Sequence, residues 1–219
     1  MSAPETKSPG FLSPVERFSE VLFGLIMTLS ITGTLSVVSE GRQEVLATIL
    51  GVLGCNIAWG IIDGVLYLMG AISDRGRGYK LYKFIQKTTE REKAHAVIAE
   101  AMPSIIAEHL STDELEDMRR RITEIPEPPR RRLVSRQDIG GAVAVCFFVI
   151  FSCVPLIIPL LMIDDPRPAL RLSNAVAIVM LFVGGYNYAK YSGLPKIWTG
   201  VVMVTLGAVM VGITIALGG

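Results

Sequence analysis

Five stretches of this chain are too long and too apolar to be solvated by water, and they constrain its fold more than any motif does. They run from about Phe18 to Val38, Val45 to Ile72, Ile139 to Ile163, Leu172 to Ala189 and Ile197 to Leu217. A bilayer core is roughly 30 Å thick, so a spanning helix needs about 20 mostly apolar residues. Strand-like alternation is absent from these runs, and hydrocarbon demands that backbone groups bond within the segment, so helices are expected. A buried helix of a soluble protein would account for any one run but not for five in 219 residues, of which 51% are hydrophobic. The fold class read from the sequence is an all-α integral membrane protein, with five transmembrane helices and a helical cytoplasmic domain between spans two and three.

Charge placement sets the expected orientation. Of the 21 Lys and Arg, 14 lie between Arg75 and Arg136. Such a block belongs on the cytoplasmic side. Counting spans from it puts the N-terminus inside, Ser39 to Glu44 outside, Asp164 to Arg171 outside, Lys190 to Lys196 inside and the C-terminus outside or in a lumen. The short inner loop carries Lys190 and Lys196 without an acid, whereas the outer loops mix both signs, so each segment agrees with one topology. Residues 1–15 read as a disordered cytoplasmic tail, without the pattern of a signal peptide. Residues 16–73 hold spans one and two, 74–136 the cytoplasmic domain, and 137–219 spans three to five.

The cytoplasmic segment reads as ordered. Tyr79, Tyr82, Phe84 and Ile85 continue the helical pattern out of span two, and Val97, Ile98, Ala101, Met102, Ile105 and Ile106 recur at three- and four-residue spacing. Pro103 inside that pattern predicts a kink or a restart. Ser111 and Glu114 form a capping-box pair that opens a short helix through about Ile122, and Pro126, Pro128 and Pro129 stop it. So little apolar material cannot make an independent core, which predicts packing on a second copy of the chain or on the membrane helices.

Within the spans, Asp63 stands out. A carboxylate at the centre of a bilayer costs about 2.5–3.5 kcal/mol on insertion scales, and such residues usually face a cavity, a pore or a partner. The plainer reading is that Asp63 locks helices together through Asn56, Tyr67 or a backbone carbonyl. Glu20, near the inner end of span one, shares a face with Gly24 and Met27 at spacings of four and seven; pairing with Arg17 is its plainer role. Thr28, Ser30, Thr32, Thr34 and Ser36 form a hydroxyl stripe that either lines an aqueous path or lets helices approach closely.

The chain resembles the vacuolar iron transporter family. Gly184, Gly185, Ala189 and Lys190, followed by Gly193, Gly200, Gly207 and Gly212, look like the last two spans of that family and their short basic loop. Pro155 and Pro159 in "CVPLIIPLLM" are similar to its proline-bearing third span. "AEHLSTDELEDMRR" resembles the second half of its cytoplasmic domain, and "GAISDRGR" the way span two runs into it. The resemblance implies five spans, a cytoplasmic domain that binds metal through glutamates, and a homodimer with the ion path between protomers. It also shows a departure: the family's Asp-Gly pair in span one falls on Met27 and Thr28, and its Ser-Met pair in span two falls on Asp63 and Gly64. One anion and one thioether are thus retained with their helices exchanged. The expected pore residues are Asp63 and Met27, with Glu20 added from its place on the Met27 face of span one.

Possible ligands in the cytoplasmic domain are Glu90, Glu92, His95, Glu100, Glu108, His109, Glu114 and Glu116. Glu92 and His95 stand three apart on one helix face, a spacing able to hold a divalent ion. The expected metal-contacting set is Asp63, Met27, Glu92, His95 and Glu100; a solvated charged face is the alternative for the cytoplasmic members. The Arg119 to Arg121 and Arg130 to Arg132 runs suit anionic lipid heads better than nucleic acid, so the expected partners are the bilayer and a second copy. Cys55, Cys146 and Cys153 fall within spans, where buried cysteines are most often apolar fillers. No P-loop, nucleophile elbow or His-Glu-x-x-His pattern occurs, so no enzymatic turnover is expected. Two functions follow. One is export of a divalent cation (iron, manganese, cobalt or zinc) as substrate, with no permanently bound cofactor and coupling to protons through the same carboxylate. The other is a membrane scaffold or sensor that keeps the fold without the metal chemistry.

Overall fold

The computed structural model describes residues 12–38, 42–126 and 134–217, apart from the side chains of residues 34–38, 42, 44, 214 and 215. The tail up to residue 11, much of the Ser39 to Glu44 loop, Pro128, Pro129 and the Arg130 to Arg132 run lie outside the described residues, as do the side chains of Thr34 and Ser36. The described chain forms α1 (Pro14–Val38), α2 (Arg42–Lys87), α3 (Arg91–Glu100), α4 (Ser104–Ala107), α5 (Thr112–Glu124), α6 (Arg136–Ser152), α7 (Val154–Met162), α8 (Pro166–Ser192) and α9 (Lys196–Ala216). It divides into two compact units, residues 1–67 with 136–219 and residues 68–135.

In the first unit α1 packs against α6, α8 and α9. It starts where it does because Ser13 and Glu16 form a capping box: Ser13 Oγ accepts from the Glu16 N–H at 3.2 Å, and Glu16 Oε2 accepts from the Ser13 N–H at 2.7 Å. Pro14 fits the first helical position, where no N–H is needed. Leu22, Leu25 and Leu29 of α1 then pack with Leu156, Ala177 and Leu181 in one buried cluster, while Val45, Ile49 and Val52 of α2 pack with Cys153, Ile157 and Leu160 in another. Both clusters lie between helices. The outward faces stay apolar, with Leu50 70%, Ile61 56% and Ile197 69% exposed. That inversion suits a surface solvated by lipid or by another copy, not by water.

Glycines let α2 and α6 touch backbone to backbone. A Cβ at Gly60 would stand 3.0 Å from the Cys146 carbonyl oxygen, and one at Gly64 would stand 2.9 Å from that of Ala142. The run expected as the third span is divided in two at Cys153. Pro155 has no N–H to continue the ladder, so α7 restarts with proline in its first turn, and the N–H groups of Leu156 and Ile157 both donate to the Cys153 carbonyl. Four helical stretches among the described residues, Val45–Lys87, Arg136–Met162, Pro166–Ser192 and Lys196–Ile213, are long and apolar enough to cross a membrane. The fifth apolar run is the α1 helix.

In the second unit the end of α2 and the helices α3 to α5 follow the sequence pattern. Pro103 separates α3 from α4, and the Ser111–Glu114 capping box opens α5 as expected. Gln86 Nε2 lies 3.1–3.2 Å from the carbonyls of Ile122, Thr123 and Ile125, which share its two hydrogens, and Tyr82 Oη donates to that of Ile125 at 3.0 Å. The last carbonyls of α5, which have no partner within their own helix, are thereby satisfied by α2.

Candidate functional site

The structure brings Glu20 and Asp63 together. They come from antiparallel helices in register: Thr28 of α1 meets Asn56 of α2 through a 3.2 Å hydrogen bond, and Glu20, two turns back along α1, falls level with Asp63. Glu16 stands one turn before Glu20 on the same face of α1. Both Glu20 and Asp63 are half-buried, and among the described residues no hydrogen-bond donor or cation reaches either. Two of the partners named for the plainer roles, Arg17 and Asn56, are engaged elsewhere. Arg17 turns its Nε to the Leu12 carbonyl at 3.1 Å rather than to Glu20. Asn56 donates to the Val52 carbonyl at 2.9 Å and to Thr28 Oγ1, not to Asp63. Two carboxylates at matching levels of facing helices, with no counter-charge among the described residues, have the charge and the ligand chemistry for one divalent cation.

Met27 is half-buried on the same strip of α1 but stands two turns from Glu20, roughly 10 Å along the axis. Between them Phe23 meets Trp59 edge to face, with centroids 5.9 Å apart, and both rings are exposed. Within one protomer Met27 thus sits at the depth of Asn56 and not of Asp63. Of the hydroxyl stripe, Thr28 and Thr32 are buried and donate to the Gly24 and Thr28 carbonyls, and Ser30 donates to Ile26. Each bonds back into its own helix.

The cytoplasmic candidates separate. His95 faces α5, where its Nε2 lies 2.8 Å from Glu116 Oε2, while Glu92 and Glu100 are exposed. Glu116 also accepts from Arg119 Nε at 2.9 Å and Nη2 at 2.7 Å, and Arg91 stands 3.9 Å away. The Arg119 hydrogen bonds first, and His95 second, hold the Glu116 carboxyl down at about 2. Asp117 is held below its ordinary value by Arg120 and Arg121, Glu114 closes its capping box with Ser111, and Glu90 pairs with Lys93 at 2.9 Å. Among the described residues no group of three or more His, Cys, Asp and Glu is placed to hold a metal. Glu90, Glu116 and Asp117 are paired with basic side chains of this unit, while Glu92 and Glu100 are exposed.

Three residues escaped the sequence reading. Glu16 joins the Glu20 and Asp63 neighbourhood; the Ser-Pro-Val-Glu capping signature could have placed it at the start of α1. Asp138, buried in the first turn of α6, falls just before the apolar run, where an acid looks interfacial. Ser152 is buried against Gly24, and a single serine in an apolar run gives no signal.

An all-helical bundle with several membrane-length apolar helices defines an integral membrane protein. Residues 81–219 match the VIT family, and the chain belongs to that family, the vacuolar iron transporters. No curated protein matches the chain. The family is one of membrane metal-ion transporters rather than enzymes. The matched segment contains Glu92, His95 and Glu100, whereas Glu20, Met27 and Asp63 precede it.

Proposed function

We propose that the protein exports a divalent metal cation of the iron or manganese type from the cytoplasm, with Glu20 and Asp63 as the binding pair. The observation that supports this reading is that Glu20 and Asp63 occupy matching levels of α1 and α2, helices joined by the Thr28–Asn56 hydrogen bond, and that among the described residues no hydrogen bond or ion pair is seen at either. Oxygen anions suit hard divalent ions. Two negative charges are neutralised by one such ion or by two protons, so the same pair can exchange metal for protons without moving net charge. The ion path runs along the half-open strip of α1, and a second protomer closes it by covering the exposed apolar face of α2. The N-terminus and the 68–135 unit lie in the cytoplasm, in accord with the basic residues concentrated there.

A second reading, a scaffold or sensor that has lost transport, is favoured by one observation. Of the cytoplasmic acids, Glu116 is engaged by Arg119 and His95 and its neighbour Asp117 by Arg120 and Arg121, and the described residues bring no three ligands together. The two readings separate in proteoliposomes. Uptake of iron, manganese, cobalt or zinc accompanied by a lumenal pH change supports transport, and no uptake of any of the four supports the scaffold.

A further inference from the structure

The connection from α8 to α9 carries two cations and no acid. Lys190 and Lys196 flank it, at one edge of two helices long enough to cross a membrane. Lys190 Nζ lies 5.4 Å from the centre of the Tyr191 ring and Lys196 Nζ 5.9 Å from that of Tyr186, and among the described residues neither has a carboxylate partner. An aromatic face steadies an ammonium without neutralising it. Both charges therefore stay available to an anion. The exposed Tyr186 and Trp198, the latter two residues past Lys196 and 68% exposed, are the amphipathic rings that favour the depth of lipid head groups.

An apolar groove runs along the same hairpin. Its volume is about 450 Å³, and Ile178, Val179 and Phe182 of α8 line it with Val201, Val204 and Thr205 of α9. Gly200 lets the Phe182 ring lie against the α9 backbone, 2.8 Å from where a Cβ would stand. Thr205 turns its hydroxyl back to the Val201 carbonyl at 2.9 Å, so the one hydroxyl in the lining is already bonded and the groove suits hydrocarbon. Ile178, Phe182, Tyr186 and Lys190 recur every four residues along α8, and Trp198, Val201 and Thr205 share a face of α9 at spacings of three and seven. Cations and groove thus belong to one face. We propose that this face seats one anionic phospholipid, its phosphate at Lys190 and Lys196 and an acyl chain in the groove. Phe182 precedes Tyr186 by four residues, so the groove opens about one turn, roughly 6 Å, from the ring that holds Lys196, where a chain leaving the head group would enter. A zwitterionic lipid carries its own cation beside the phosphate, and two lysines select against it. The inference does not rest on the transport reading; under the proposed sidedness the lipid belongs to the cytoplasmic leaflet, whose surface is negative.

The test uses Trp198 as the reporter in the full chain. The sequence holds two tryptophans, and Trp59→Phe leaves Trp198 as the only indole. The protein is reconstituted in phosphatidylcholine vesicles containing a minor fraction of phosphatidylglycerol, and quenching of Trp198 is compared with bromine on the acyl chains of one lipid or the other. One basic side chain near an anionic surface is worth about fivefold, so phosphatidylglycerol should associate with this face about 25-fold more strongly than phosphatidylcholine and saturate at one lipid per protomer. Combining Lys190→Gln with Lys196→Gln should abolish the preference. Thr205→Phe fills the groove and should lower it several-fold with both lysines in place; Val179→Phe replaces it if Thr205→Phe lowers the melting temperature. Equal quenching by the two lipids, or a preference that survives loss of both lysines, overturns the proposal. A preference that survives groove filling also overturns it, because the lysines then only enrich the surrounding lipid. Quenching by neither lipid shows the face covered by protein, a second copy included, and overturns it as well, as does displacement of the brominated phosphatidylglycerol by inorganic phosphate.

Discussion

Replacing Asp63 with Asn removes one charge from the pair while keeping size and hydrogen-bonding capacity. Two unit charges 4 Å apart interact by about 4 kcal/mol at an effective dielectric of about 20. A divalent cation doubles that to about 8 kcal/mol, and the lost hydration of ion and carboxylate takes most of it back. If roughly a third survives, about 2.7 kcal/mol, uptake falls about 100-fold. Among the described residues no donor or cation pairs with Asp63, so the substitution leaves no orphaned partner there and the melting temperature should hold. Glu20→Gln should act similarly, and the double variant should lose little more, because residues that serve one ion are not additive. Initial rates of manganese uptake into proteoliposomes, normalised to protein incorporated, give the ratio. An Asp63→Asn variant that transports within twofold of wild type would refute the reasoning and make the carboxylate structural.

Met27→Leu should leave total manganese uptake within about twofold while shifting preference among cobalt, zinc and manganese, since it removes only a soft ligand; competition between metals in the same vesicles reads it. The Glu116 carboxyl is held at about 2 against an ordinary 4.5, so its pairing with Arg119 and His95 contributes stability that is fully present above about pH 4.5 and lost as pH falls through the window from 4.5 towards 2. Hydrogen exchange of α3 and α5 should accelerate across that window in the wild type, and Glu116→Gln should remove the dependence. For orientation, a single cysteine at Asp164 should react with a membrane-impermeant maleimide added outside intact cells, while one at Glu100 should stay protected; the opposite pattern overturns the assigned sidedness.

The helices were legible because their signals are physical and local. Apolar length marks Val45–Lys87, Arg136–Met162, Pro166–Ser192 and Lys196–Ile213, and Ser111 with Glu114 marks the start of α5. Pro155 signalled the division at Cys153 only in hindsight, because a proline in a membrane helix is tolerated as a kink as often as it restarts the helix. Asp63 was visible as a charge in an apolar run. Glu20 was singled out too, but not its placement level with Asp63, because that depends on the antiparallel register of α1 and α2, which no periodicity within either helix contains. The same reason hid Ser152. In the cytoplasmic unit Glu92 and His95 share a helix, but His95 turns to Glu116 on α5, since an acid on a facing helix competes with a neighbour on its own.

Equilibrium binding of manganese by the purified full-length protein tests the central claim most directly, because it needs neither a pore nor a defined orientation. Free and bound manganese are distinguished by electron paramagnetic resonance as the metal is titrated. The account predicts a saturable site of one manganese per protomer in the wild type, abolished when Glu20→Gln and Asp63→Asn are combined and retained when Glu92, His95 and Glu100 are all replaced by Ala. Saturable binding that survives the loss of both membrane carboxylates, or that disappears with the cytoplasmic residues instead, would contradict it.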